Sequence, residues 1–378
     1  MYNLTEDQLL IKNMAREFAE NEVRPIASAI DKEHRFPSES LPRMAELGIF
    51  GLTVPEEFGG SGGDVTSYIL VIEELARVSA THAVILSVHI SVCSLPILQF
   101  GTDAQKKKYL PDLACGKTLG AFAITEAGAG SDASGQTTSA VRKGSGYILN
   151  GTKIFITNGG YADVFLIMAV TDKDKGMRGL TTFIVEKNFP GFTVGQAEEK
   201  MGICGSSTTE IILKDCVVPA DNVLGGENNG FKVAMGALDG GRISIAAEGV
   251  GLAQGALEAA IDYAKQRVQF GKPIAANQGI QWMLADMALE VEAARLLTYN
   301  AARMKEQHLN YSKQAAMAKL HAAQTAMDVT TKAVQIHGGI GYTRSYPVER
   351  YMRDAKIIGI YEGTNEVQRM VIAKNILA

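Results

Sequence analysis

The sequence predicts a mainly α, α+β fold in which helices and strands are segregated along the chain, and three observations carry that reading. Apolar residues recur with helical period through the first 115 or so positions, the period changes to two from about Gly120, and helical period returns after the Gly225-Gly226 loop. Helices, then strands, then helices argue for separate α and β units rather than the alternating βαβ units of a doubly wound nucleotide fold. At 378 residues the chain exceeds what one hydrophobic core serves. Domains are expected at 1–118, 119–228 and 229–378.

In the first unit, Thr5 with Gln8 and Thr102 with Gln105 read as capping boxes, each satisfying backbone groups that a helix end leaves unpaired. Leu9, Met14, Phe18 and Val23 are expected on one face of a first helix, and a second runs from about Asp64 to Ser79. Between them, Gly59-Gly60-Ser61-Gly62-Gly63 is a loop that can take positive φ. The most apolar stretch, His82 to Phe100, contains two histidines and Pro96, so it reads as a buried helix and not a membrane span.

In the middle unit, Tyr147-Ile148-Leu149 and Ile154-Phe155-Ile156 flank Asn150-Gly151, a two-residue turn signal, and are expected to form a β-hairpin. Further strands fit Val164 to Val170, Leu180 to Val185, Phe192 to Gly195 and Glu210 to Leu213. In the last unit, long helices fit Gly230 to Phe270, with room for a break in the middle, then Gly279 to Lys305 and Ser312 to His337.

Composition narrows the function. Hydrophobic residues at 46% and charged residues at 21% describe a globular chain, and the net charge of −4 leaves Lys106, Lys107 and Lys108 as a short solvated stripe, which argues against nucleic acid as a partner. Cys93, Cys115, Cys204 and Cys216 lie too far apart for a zinc or thioredoxin-type motif, so no metal and four buried reduced thiols are expected. Met1-Tyr2-Asn3-Leu4-Thr5-Glu6-Asp7 has neither a basic start nor an Arg-rich amphipathic stretch, and a cytoplasmic protein is expected.

Three segments could carry chemistry. Gly128-Ala129-Gly130-Ser131-Asp132-Ala133 satisfies the G-x-G-x-x-A pattern of dinucleotide sites, but a β-like segment follows where that fingerprint needs a helix. A phosphate cradle of backbone N–H groups stays open there. Gln335-Ile336-His337-Gly338-Gly339-Ile340-Gly341-Tyr342 ends a helix, and a plain C-cap is the simpler reading. Glu362, in Ile360-Tyr361-Glu362-Gly363-Thr364-Asn365-Glu366, follows an apolar run; it is either an ordinary loop glutamate or a base whose pKa an apolar pocket raises.

Two of these segments carry a likeness. AITEAGAGSDASG at Ala123 to Gly135 and QIHGGIGYTRSYPVERYMRD at Gln335 to Asp354 are long, specific and in order, and through them the whole chain resembles the acyl-CoA dehydrogenase family. Ser345 departs from the pattern, standing where the family usually has an acidic or amide residue.

The resemblance implies an N-terminal helical domain, a β-barrel-like middle domain and a four-helix-bundle-like C-terminal domain, with FAD held between the last two and by residues of a neighbouring subunit. By the same resemblance, Phe122, Ile124, Thr125, Gly130 and Ser131 would line the flavin or its pyrophosphate, and Phe155, Ile156 and Thr157 would meet the isoalloxazine. Arg267, Phe270 and Gln278 look like cross-subunit contacts, so a homotetramer built as a dimer of dimers is implied. Gln335, Ile336, His337, Gly338 and Gly339, with Thr364, Asn365 and Glu366, match the remaining cofactor segments.

Leu238, Asp239 and Arg242, with Ser131, Tyr361 and Gly363, match substrate contacts, and Glu362 matches the base that takes the α-proton while hydride leaves the β-carbon. Some relatives carry the base at the position of Gly241, which cannot serve. The likeness to short-chain members such as butyryl-CoA dehydrogenases implies a short acyl-CoA substrate, in fatty-acid or butyrate metabolism. An electron-transferring flavoprotein is the implied oxidant. No Arg lies in the helix around Leu86 to Ser94, which disfavours a dicarboxylyl substrate. An oxygen-reoxidised acyl-CoA oxidase and a non-catalytic flavin- or acyl-CoA-binding scaffold are the competing expectations.

Overall fold

The computed structural model describes residues 4–377; the reading of Met1 to Asn3 lies outside them. Helix α1 (Glu6–Phe18) opens at the expected capping box, Gln8 N donating to Thr5 Oγ1 and Thr5 N to Gln8 Oε1. It continues through a π turn at Ala19–Val23 into α2 (Arg24–Glu33), followed by α3 (Leu41–Glu46). Phe18 and Val23 are buried, but Leu9 is 45% exposed. Nine residues are roughly two and a half helical turns, so Leu9 and Phe18 point opposite ways, and the single apolar face expected for them does not form.

Helix α4 (Val65–Ala76) is capped by Asp64, whose carboxylate accepts from Ser67 N. Helix α5 (Ala80–Ser87) runs through a π segment into α6 (Leu95–Phe100), and α7 (Asp103–Ala114) opens at the second capping box. Ala80–Phe100 is long and apolar enough to cross a membrane, yet 78% of that window is buried inside the protein. Its apolarity is spent on the core, as expected. Of the four cysteines, all free, Cys115 breaks the expectation of burial: it is exposed at the end of α7.

The middle unit is one eight-stranded sheet: β1 (Gly120–Ala123), β2 (Ser139–Lys143), β3 (Gly146–Thr157), β4 (Val164–Val170), β5 (Leu180–Glu186), β6 (Phe192–Ala197), β7 (Thr208–Pro219) and β8 (Val223–Leu224). The order is β6-β7-β3-β2-β4-β5-β8, with β1 also on β4; β1 and β2 run parallel to β4 and the other pairs are antiparallel. The expected hairpin at Asn150-Gly151 is overturned, because those residues lie inside β3 at a bulge. Asn150 bonds across to β7, its Oδ1 accepting from Asp215 N and its Nδ2 donating to Asp215 Oδ1, so its turn chemistry serves the bulge. The real turn is Gly144-Ser145, between β2 and β3.

The last unit begins with α8 (Gly230–Gln266), 37 residues without a break. A small hairpin, β9 (Val268–Gln269) and β10 (Lys272–Pro273), leads into α9 (Gln278–Glu306), α10 (Ser312–His337), α11 (Val348–Ile358) and α12 (Asn365–Leu377). Helix α8 packs on α9, α10 and α11 and also on α4, so the first and third units share a core. A buried charge network joins them further: Glu73 accepts from Arg295 Nε at 2.9 Å and Tyr299 Oη at 2.7 Å, and Arg77 pairs with Glu74 and Glu258, each at 3.0 Å.

Candidate active site

Glu362 sits in the turn between α11 and α12. The N–H groups of Ile360 and Tyr361 donate to the Ile357 carbonyl as α11 ends, and Asn365 N donates to Gly359 O as α12 begins. Glu362 takes a left-handed φ of 50° and Gly363 one of 93°, a conformation that costs a non-glycine residue about 1–2 kcal/mol. Three side chains from three helices hold it. Lys319 Nζ of α10 donates to Gly363 O at 2.8 Å, Gln368 Nε2 of α12 to Gly363 O at 2.8 Å and Glu362 O at 3.3 Å, and Tyr361 Oη donates to Glu248 Oε2 of α8 at 2.7 Å.

Glu362 is half-buried, and its Oε2 is out of contact with water and has no hydrogen-bond partner. It lies against α8 at Gly241, where an added Cβ would stand 2.0 Å from Oε2. Burial pushes its pKa up to about 7, with the positive charges of Arg242 and Lys319 holding it from rising further. Lys319 is itself buried, which brings its ammonium down to about 8 although Glu362 pulls the other way. Behind Gly241, Ser244 Oγ donates to its carbonyl at 2.9 Å and meets Ser87 Oγ at 2.8 Å.

The residues matched to substrate divide in two. Leu238 and Asp239 are half-buried on α8 near the base, Asp239 accepts from Arg242 Nη1 and, at 3.1 Å, from Ser312 Oγ, and the buried Arg242 keeps an unpartnered Nε. Ser131 lies apart, exposed on the loop between β1 and β2. That loop is fixed from below by Lys153, fully buried on β3, whose Nζ donates to Glu126 Oε1 at 2.8 Å, Gln136 Oε1 at 2.7 Å and Ile124 O at 3.3 Å. Irregular backbone and then β2 follow the Gly128-to-Ala133 pattern, so no helix opens there for a dinucleotide.

The middle-domain cofactor candidates flank this loop. Phe122, Ile124, Thr125 and Thr157 are half-buried, and Gly130 has open space where a side chain would stand. Phe155 is 58% exposed with a left-handed φ of 59°, turned outward at a bulge. Ile156 points the other way, into the sheet core, so its side chain cannot pack on a ligand and only its main chain is available.

In the last unit, Gln335, Gly338 and Gly339 are exposed. Ile336 is buried in the helical core, and His337 stacks on Tyr263 at 4.2 Å, its Nδ1 donating to Ala333 O while Nε2 is buried without a partner. Thr364 accepts from Val367 N at the start of α12, Asn365 Oδ1 is buried and unpartnered, and Glu366 is exposed. Arg267, Phe270 and Gln278, around the β9–β10 hairpin, all face outward, Phe270 completely.

Sequence reasoning missed Glu126, Lys153, Glu248 and Lys319. The signal was weak but present: Lys319 lies among Ala315, Ala316, Ala318, Ala322 and Ala323 on a buried helix face, and Glu248 interrupts an otherwise apolar or small run from Ile245 to Ala253. A charge at such a position has no water to solvate it.

A carboxylate with one buried, unpartnered oxygen and a pKa raised toward neutrality is suited to accepting a weakly acidic proton. The family models for the N-terminal, middle and C-terminal domains of acyl-CoA dehydrogenase match residues 5–117, 121–216 and 228–377. A short-chain-specific acyl-CoA dehydrogenase of Clostridium acetobutylicum is 54% identical over 375 residues, 99% of each chain. The butyryl-CoA dehydrogenase of Megasphaera elsdenii superposes with a TM-score of 0.98 at 50% identity, covering 100% of this chain and 99% of that one. A chain from the structure of the electron-transferring flavoprotein of Acidaminococcus fermentans, solved to study flavin-based electron bifurcation, gives a TM-score of 0.99 at 53% identity with the same coverage. The chain belongs to the acyl-CoA dehydrogenase family and is an oxidoreductase.

Proposed function

We propose that this enzyme dehydrogenates a short, butyryl-CoA-like acyl-CoA to the trans-2-enoyl-CoA, with Glu362 taking the α-proton. The observation that carries this is the Glu362 carboxylate against α8, its Oε2 buried without a partner and its pKa raised to about 7. A thioester α-proton is too weakly acidic for a free glutamate, so the carbonyl must be polarised as the proton leaves. The Glu362 N–H has no partner among the described residues and is free to donate to it. Arg242 and Lys319 keep enough of the base ionised at neutral pH to act.

FAD bound here would supply the acceptor for the hydride that leaves the β-carbon. The residues present fit it: glycine positions with open space at Gly128, Gly130, Gly338 and Gly339, an outward Phe155, and a loop braced by Lys153. Phe122, Ile124, Thr125, Gly130, Ser131, Phe155 and Thr157, with the main chain of Ile156, would hold it on one side. Gln335 to Gly339 and Thr364 to Glu366 would complete the site, and Arg267, Phe270 and Gln278 would reach the cofactor of a neighbouring subunit. A homotetramer is supported by the solvent-facing stripe of Trp282, Leu289 and Leu296, seven residues apart along α9. Domain limits at 118 and 228, a cytoplasmic location and an electron-transferring flavoprotein as oxidant complete the reading, the last supported by the bifurcation-related structural match.

Anaerobic titration of the purified enzyme with acyl-CoAs of increasing chain length, following flavin absorbance, tests this directly. Bleaching strongest with butyryl-CoA is expected. Rapid stoichiometric peroxide formation in air would assign an oxidase instead, and no bleaching with any acyl-CoA would assign a scaffold.

A further inference from the structure

Glu248 is fully buried on α8, two helical turns beyond Gly241. Its Oε2 accepts from the Tyr361 hydroxyl at 2.7 Å, and its Oε1 has no partner. Among the described residues no cation lies within ion-pair distance of it. The titratable groups that face it are Tyr361 and Glu362 of the base-bearing turn and Asp354 of α11, all hydroxyl or carboxyl. An isolated ionised carboxylate in such a place would cost several kcal/mol, which holding a proton avoids.

The place of this contact matters more than its strength. Of the three side chains that grip the turn, Lys319 and Gln368 hold main-chain carbonyls at Glu362 and Gly363, at or after the base. Glu248 holds the side chain of Tyr361, immediately before it. A residue strained into a left-handed φ stays there when both flanks are fixed. We propose that Glu248 is a positioning residue for the base: as a neutral carboxylic acid it anchors Tyr361 and so holds the turn that presents Glu362 to the substrate.

The neutral state is part of the function. An ionised Glu248 would place a second negative charge near Glu362 and raise the pKa of the base. Burial, with the charges of Asp354 and Glu362, pushes Glu248 well above the ordinary carboxylate range, and the Tyr361 bond only partly opposes this.

The inference rests on Glu362 being the base, so its test begins with Glu362→Gln in the FAD-loaded enzyme; turnover that survives there with flavin bound rejects that reading separately. Glu248→Gln keeps an acceptor for Tyr361 and cannot ionise. It should leave kcat per bound flavin within about twofold, with the acid limb of the pH profile unmoved. Glu248→Leu and Tyr361→Phe remove the contact and should each lower kcat per flavin about tenfold, with KM little changed. Normal kcat per flavin in a folded Leu variant overturns the proposal, even if melting temperature or flavin content falls. So does a Gln variant whose acid limb moves by about one pH unit, which would mean that Glu248 is ionised. If the Leu variant does not fold, Tyr361→Phe decides, and unchanged kcat and pH profile there overturn it.

Discussion

Glu126 and Glu362 are both withdrawn from water and are treated in opposite ways. For Glu126, burial alone would raise the pKa, but the Lys153 ammonium and hydrogen bonds from Thr137 and Thr138 outweigh it and bring the carboxylate down to about 2. Its Oε1 and Oε2 both receive donors. For Glu362, burial wins, one oxygen is left without a donor, and the group rises to about 7. The same side chain is thus held as a charged strut for a loop or left able to take up a proton near neutrality, according to how many donors the fold supplies. Lys153 shows the cost of the strut, since burial draws its ammonium down to about 8 against the pull of Glu126.

The sharpest way to break this contrast is Glu362→Gln, for which kcat is expected to fall about 10³-fold with FAD content unchanged. A mild loss would mean that the unpartnered carboxylate is not the base. On the other side, Lys153→Met leaves Glu126 buried without its cation, and denaturant unfolding should register a loss of about 3–5 kcal/mol. Stability unaffected by that change would show that the loop does not depend on the pair.

Smaller effects probe the geometry and the titration. Gly241→Ala puts a Cβ where the Glu362 carboxylate now lies, so the carboxylate must shift; steady-state kinetics should show kcat down about 10²-fold with little change in melting temperature. In the wild-type enzyme kcat should fall about tenfold per unit as pH drops below 7, because only the ionised Glu362 can accept a proton. Lys319→Met removes a charge that favours the ionised form and should move this limb about one pH unit upward; no movement would leave Arg242 as the only cation that matters.

The sign for stability also differs between the two glutamates. Glu126, lowered on folding, stabilises the protein above the ordinary carboxylate range, and that contribution is lost as pH falls toward 2. Glu362, raised on folding, costs stability as pH rises from about 4.5 to about 7.

Much of the fold was legible because local signals and tertiary use agree. Val164 to Val170 was read to the residue as a strand, and both capping boxes formed as their spacing requires. Legibility failed where one local signal has two uses: Asn150-Gly151 can turn a chain or bulge a strand, and only the cross-strand bonds to Asp215 decide. At the site, Glu362 looked like any loop glutamate until the family resemblance singled it out. Lys153 gave no signal, because the bulges that set its register come from pairing with β7. Glu248 and Lys319 stood in apolar faces, but their partners, Tyr361 and the Gly363 carbonyl, arrive from more than 40 residues away.

The unpartnered Oε2 of Glu362 has a consequence for the heat of ligand binding. With its pKa raised to about 7, Glu362 is partly protonated at neutral pH. An apolar acyl chain laid over the half-buried carboxylate removes what water still reaches it, favours the neutral form, and draws in a fraction of a proton from solution. Binding of an unreactive acyl-CoA analogue should therefore release different heats in buffers of different ionisation enthalpy, so that calorimetry counts the proton before any bond is broken.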